Sequence, residues 1–187
     1  MSKTFPWPTY GGYDVYEVMS ALQKSIRRGL EEQALFWATE MYRSEYTDMA
    51  WSRLLIIASE DVGIADSNVV VQVKTLHDLY AAHKKAKKEG GEDKLWFVHA
   101  VLILVRAPKT RIVDHALITY FEGDREPVEI PDYALDVHTS TGRAMGRGNT
   151  HFFEHGAVLE PSAERHFMPM YDPYLERAKT IRCRKRP

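Results

Sequence analysis

Six stretches of the sequence repeat apolar residues at three- and four-residue steps, and all but the second are closed by glycine or proline. That pattern admits little besides packed helices. Behind Asp14, a predicted N-cap, Val15, Val18, Met19, Leu22 and Ile26 form one helical face that stops at Gly29. Leu30, Ala34, Trp37, Ala38 and Met41 mark a second helix. A third, starting near Thr47 or Asp48, carries Trp51, Leu54, Leu55, Ala58 and Val62 and stops at Gly63. Asp66 or Ser67 caps a fourth, with Val69, Val73, Leu76 and Tyr80 inward. Leu95 to Arg106 is apolar nearly all round, which predicts a central fifth helix ended by Pro108. Ile112, Val113, Ala116, Leu117 and Tyr120 predict the inward face of a sixth, closed by Gly123. No strand alternation interrupts them, so the expected class is all-α.

Both ends read differently. Phe5-Pro6-Trp7-Pro8 and Gly11-Gly12 predict an extended lead-in over residues 1–12. A helical domain follows over 13–178, with a core at 13–123 and an irregular extension at 124–178 that packs across the helices. Prolines and glycines break that extension repeatedly. Short helical turns are expected near Thr141–Met145 and Thr150–His155, with Tyr133, Phe152, Phe153, Phe167, Tyr171 and Tyr174 as anchors. Residues 179–187 form a basic tail.

Composition removes whole classes of function. Of 187 residues, 44% are hydrophobic and 27% charged, the balance of a water-soluble domain, and the net charge of -1 gives no global pull toward nucleic acid or membrane. The single cysteine, Cys183, excludes a disulfide framework within the chain and fits a cytoplasmic setting. The N-terminus lacks the apolar run of a signal peptide. Leu95–Val105 falls short of the roughly 20 apolar residues that span a bilayer.

Four strings carry a resemblance. They are Ser20-Ala21-Leu22-Gln23-Lys24-Ser25-Ile26-Arg27, Ala34-Leu35-Phe36-Trp37, Ala58-Ser59-Glu60-Asp61-Val62-Gly63-Ile64-Ala65-Asp66 and Ala107-Pro108-Lys109-Thr110. In order and spacing they resemble the C-terminal domain of the MgsA/RarA family of replication-associated AAA+ ATPases, over about Tyr13 to Phe121. Gly146 to Phe153 and Phe167-Met168-Pro169 are similar to later family segments, whereas Asp136–Thr139 and Thr141–Arg143 match nothing in it. The resemblance implies an all-helical array like the post-AAA+ oligomerisation domain of clamp loaders. It implies assembly into a tetramer and work in DNA replication and recombination. Lys24, Ser25, Trp37, Ser59, Glu60, Asp61, Gly63, Asp66, Pro108 and Lys109 are the family-motif positions, read as structural or interface residues.

The motor that precedes this domain in the family has no counterpart in the sequence. No G-x-x-x-x-G-K-[ST] loop is present to cradle phosphates, so ATP hydrolysis is not expected and no cofactor is implied. The expectation is a non-enzymatic oligomerisation or interaction domain that binds a copy of itself, a replication protein or DNA, without membrane contact. Another reading is an accessory subunit of a separately encoded AAA+ ATPase.

The remaining candidates have bland readings beside the sharp ones. Ser59-Glu60-Asp61 could serve acid-base or metal chemistry, but binding to neighbouring helix N-termini or to a basic partner within the fold is favoured. Asp136, His138, His151 and His155 could form a metal or enzyme site, His151 and His155 sharing a helical face, yet ordinary packing is favoured. His99 is expected to be a hydrogen-bonded core histidine. Arg143, Arg147, Arg182, Arg184, Lys185 and Arg186 are the candidate nucleic-acid contacts. The run Lys84, Lys85, Lys87 and Lys88 reads as a solvated helix end compensated by nearby acids.

Overall fold

The first helix shows how the local chemistry sets the boundaries. The Asp14 carboxylate accepts the backbone N–H groups of Tyr16 and Glu17, at 2.8 and 3.2 Å, and α1 runs from there as Val15–Arg27. Its end needs a left-handed residue, and Gly29 supplies it at φ 69°. Gly29 N–H then reaches the Ile26 carbonyl and Leu30 N–H the Ser25 carbonyl, at 3.0 and 2.9 Å, a Schellman closure. The same closure recurs after α2 (Glu31–Arg43), where Glu45 takes the left-handed place at φ 63°.

The computed structural model describes residues 7–86, 90–122 and 126–160, and every regular element among them is helical. Two units divide between Arg125 and Glu126. The first continues through α3 (Thr47–Ile57), α4 (Val69–Lys85), α5 (Glu92–Arg106) and α6 (Ile112–Leu117). α5 packs against α1, α2, α3 and α4. Trp51, fully buried, sits at the centre with its ring 5.4 Å from Phe97 and 5.5 Å from Tyr80. Leu22, Ile26, Met41, Leu54, Ile57 and Leu104 surround it, none of them exposed. Burial on this scale, about 1.5–3 kcal/mol per large side chain, is what offsets the chain entropy of a domain this size.

In the second unit a 3₁₀ turn (Asp132–Ala134), α7 (Ser140–Ala144), α8 (Asn149–His151) and a π-turn (Phe152–Gly156) follow one another. Thr139 caps α7, its hydroxyl accepting Gly142 N–H at 3.0 Å. No helix among the described residues is long and apolar enough to cross a membrane.

The structure departs from the sequence expectations at several points. Residues 7–14 are not simply extended. They double back through a turn, with Pro8 and Asp14 paired and Gly12 N–H closing on the Thr9 carbonyl at 2.9 Å. This turn is held on α2, since Tyr10 N–H donates to Ser44 Oγ at 2.8 Å and the Tyr13 ring stands edge-on to Trp37 at 5.5 Å. His99 is exposed, not in the core, because Phe97, Ala100, Val101 and Leu104 take the buried face of α5. Leu95 is likewise 65% exposed. Tyr133 is exposed, whereas Phe152 and Phe153 are half-buried against each other. Residues 1–6, 87–89, 123–125 and 161–187 lie outside the described residues, and with them Lys87, Lys88, Phe167, Tyr171, Tyr174 and the basic tail.

The sixth helix departs furthest. Its apolar positions were expected to point inward, yet no residue of α6 is buried. Ile112, Leu117 and Tyr120 are 56%, 48% and 60% exposed. Val113 is half-buried and packs beside Gly63, and Asp114 is half-buried next to it.

Candidate functional site

α3 does not end in an ordinary turn. From Ala58 the chain widens into a π-turn, Ala58–Val62, and then tightens into a 3₁₀ turn, Gly63–Ala65. Single π-turns inside helices are frequent at functional positions. Two features hold this one. Gly63 adopts φ 50°, and a β-carbon there would stand 2.9 Å from Val113 Cγ2. Thr110 N–H donates to the Asp61 carbonyl at 2.9 Å, tying the π-turn to the segment between α5 and α6.

The π-turn points Glu60 and Asp61 at bases from distant parts of the chain. The Asp61 side chain has no exposure. Its Oδ1 accepts Arg27 Nε at 2.5 Å, its Oδ2 accepts Gln23 Nε2 at 3.0 Å, and Arg111 Nη1 lies 3.7 Å away. Glu60 accepts Arg27 Nη2 and Gln23 Nε2, both at 3.1 Å, with Arg111 Nη2 at 3.4 Å. Gln23 is fixed in turn by Arg53, which donates to its Oε1 at 3.2 Å. A buried carboxylate is tolerated when its lone pairs are used this fully. Glu60 and Asp61 therefore join Gln23, Arg27 and Arg111 in an internal network, while Ser59 is exposed beside it.

The other family-motif positions support the same region. Lys109 donates to the carbonyls of Val105 and Ala107 and so caps α5. Burial lowers the pKa of its amine, and the Asp61 charge opposes that shift. Ser25 is buried at the α1 closure, and Lys24, exposed, donates to Ser20 Oγ at 2.7 Å. Trp37 lies between Tyr13 and Phe36. The Asp66 carboxylate accepts Asn68 N–H at 3.0 Å ahead of α4, while Pro108 is exposed just beyond α5.

Beside the network, α3 and α6 frame an open cleft of about 390 Å³ lined by Leu55, Ile56, Ser59, Glu60, Val113, Asp114 and Leu117. Apolar side chains make most of its surface. Arg111 braces it from below, pairing with Asp114 three residues on, and that hydrogen bond is the leading cause of a raised Arg111 pKa. α6 runs into a second π-turn, Ile118–Glu122, so one wall of the cleft leads into each π-turn. Ile118, Tyr120 and Phe121 there are 46%, 60% and 87% exposed. Sequence reasoning missed this cleft. The Arg111–Asp114 spacing was the available signal for the ion pair, but nothing in it revealed the neighbouring helix.

The second unit gathers other named residues. Asp136 is buried, with Oδ1 accepting His138 N–H at 2.8 Å and Oδ2 lying 3.2 Å from His138 Nδ1. His151 and His155 have ring centroids 4.7 Å apart. Among the described residues no three histidine, cysteine or carboxylate side chains converge as a metal site would require. Arg143, exposed, and Arg147, half-buried, both bind backbone: Arg143 Nη1 donates to the carbonyls of Val137 and His138, and Arg147 Nη1 to those of Asp132 and Leu135 at 2.8 and 2.7 Å. Arg147 also pairs with the Asp132 carboxylate. These donors hold the 132–138 segment. Arg182, Arg184, Lys185 and Arg186 lie outside the described residues.

Two outcomes follow for this unit. Arg147→Ala is expected to loosen it by about 2 kcal/mol, the scale of hydrogen bonds to a charged group. Faster amide exchange over 132–138, with unchanged affinity for single-stranded DNA, would register that role; the reverse result would return Arg147 to the DNA contacts. Acid should have a similar effect. Arg147 holds the Asp132 carboxyl below its ordinary value, and the His138 backbone N–H does the same for Asp136. A folded-state pKa below the unfolded one stabilises above the ordinary aspartate range and is lost as pH falls through the folded values. Exchange protection over 132–147 should therefore hold at neutral pH and fade below about pH 4.

Together these features define an all-helical domain built on a closed acid–base network beside an open apolar cleft. The family model described as the MgsA AAA+ ATPase C terminal matches residues 31–179, and the chain belongs to that family. It is 28% identical over 160 residues to the replication-associated recombination protein A of Haemophilus influenzae, and equally to that of Escherichia coli K12; the match covers 82% of this chain and 34% of each relative. The Bacillus subtilis protein of the same name is 28% identical over 144 residues, 75% of this chain and 32% of its own. The chain thus spans about a third of the length of these relatives.

Proposed function

We propose that this chain is a non-catalytic domain that assembles with copies of itself, into the tetramer the resemblance implies, and works in the cytoplasm beside a replication-associated recombination ATPase. The observation that carries the reading is the exposed apolar face of α6 and its π-turn. Five large apolar residues between Ile112 and Phe121 make it up, Ile112, Leu117, Ile118, Tyr120 and Phe121, each at least 46% exposed. A surface of that kind is costly in water and marks an interface. The closed Glu60–Asp61 network and the matched family support a structural role over a catalytic one.

Sedimentation equilibrium of the full chain through the micromolar range tests this. A mass that rises with concentration is expected. A strict monomer throughout would reject self-association and leave the accessory-subunit reading, in which a separately encoded motor covers the same face.

A further inference from the structure

His151 ends α8, and His155 lies one turn further on, inside the π-turn Phe152–Gly156. Their ring centroids are 4.7 Å apart. The turn that carries them is fixed. Ala157 N–H donates to the Phe152 carbonyl at 2.7 Å, the five-residue closure of a π-turn. Gly156 lies so close to the preceding segment that a β-carbon there would stand 3.2 Å from Asp136 Oδ2 and 3.4 Å from the Tyr133 carbonyl oxygen. The two imidazoles are therefore placed before any ligand arrives.

The pair has the chemistry of a cation site. Two imidazoles on one ion, each nitrogen about 2.0–2.1 Å from it, hold their ring centres roughly 4.5–5.2 Å apart for octahedral to tetrahedral angles. The observed 4.7 Å lies inside that span. His151 Nδ1 is buried and has no hydrogen-bond partner among the described residues, which costs free energy unless a ligand takes it up. His155 is exposed and leaves an ion a path from solvent. The Asp132 carboxylate lies within electrostatic reach of both rings and the Asp136 carboxylate within reach of His151, with Arg147 pairing to the first of these acids. No third protein ligand converges among the described residues, so water fills the remaining positions. Imidazole donors select nickel, copper and zinc ions over magnesium and calcium, which take oxygen ligands.

We propose that His151 and His155 clip a divalent ion of the nickel–copper–zinc group, with water completing its shell. Such a clip ties α8 to the π-turn. It suits a unit in which, among the described residues, only Asp136, Val137 and Gly142 are buried, because metals commonly brace folds with little core.

Calorimetric titration of zinc chloride into the full chain tests this, in a Cys183→Ser background that removes its one thiol. One-to-one binding is expected. His151→Gln and His155→Gln, the second at an exposed position that leaves the fold alone, should each weaken it at least about tenfold, since even a residue that only supports a metal ligand is worth about 10–100-fold. His99→Gln, at an exposed histidine of α5, should leave the affinity unchanged, and magnesium chloride should not bind. Amide exchange gives a second reading without a variant. With free zinc at about a hundred times the dissociation constant, exchange over 149–156 should slow by up to about a hundredfold, while α1 to α5 are unaffected. Absence of zinc binding, binding that survives both histidine changes, or slowing confined to other segments would overturn the proposal.

Discussion

Asp61→Ala should be the most damaging single change to the first unit, at about 3 kcal/mol. The carboxylate has no exposure and accepts from Arg27 and Gln23 while facing Arg111. Removing one member of a buried pair costs about 3–5 kcal/mol when the other is left dry. Here the side chains of Arg27 and Arg111 are 31% and 33% exposed, so water can reach them, and the expected loss lies at the low end. Urea unfolding followed by tryptophan fluorescence reads it directly, since Trp51 reports on the same core. Asp61→Asn separates charge from shape: it keeps one acceptor and should recover part of the loss. Stability within about 0.5 kcal/mol of the parent for Asp61→Ala would show that the network is surface decoration, because that is the scale of ordinary surface substitutions.

This expectation explains what the strongest sequence string encodes. Ala58 to Asp66 reads as a helix end followed by acids and a glycine, and that much is legible. The bases are not. Gln23 and Arg27 come from α1 and Arg111 from the start of α6, more than 30 residues to either side. The π-turn is equally hidden, since Ala58 and Val62 keep a four-residue step that an α-helix would also show. Helical periodicity reports that a face is apolar and is silent on what covers it. For α1 to α5 the cover is other helices of the same unit, and the inward assignments at Val18, Leu22, Trp51 and Val73 hold. For α6 the same pattern faces solvent, so the candidate interface was read as core. His99 failed for a related reason. On a helix rich in apolar residues all round, the sequence does not say which three-residue stripe loses the competition for burial.

Gly142→Ala should break the second unit by a steric route, at about 3 kcal/mol, the upper end of overpacking costs. Gly142 is buried in α7, and a β-carbon there would stand 2.0 Å from the Asp136 carbonyl oxygen and 2.6 Å from its nitrogen. Those are backbone atoms, which cannot rotate aside as a flexible side chain would. Either α7 lifts away or the 132–138 segment shifts. If α7 lifts, it loses the Thr139 cap and the Arg143 contacts to Val137 and His138; if the segment shifts, Arg147 loses its hold on Asp132 and Leu135. Amide exchange should therefore accelerate across 132–147 as a block, while amides of α1 to α5 keep their protection, because the two units are separate contact clusters. Gly146→Ala, at φ 73° with nothing within 4 Å of the added carbon, tests backbone strain alone and should cost about 1 kcal/mol. If both glycine variants behave alike, close packing of α7 on Asp136 is not what holds this unit.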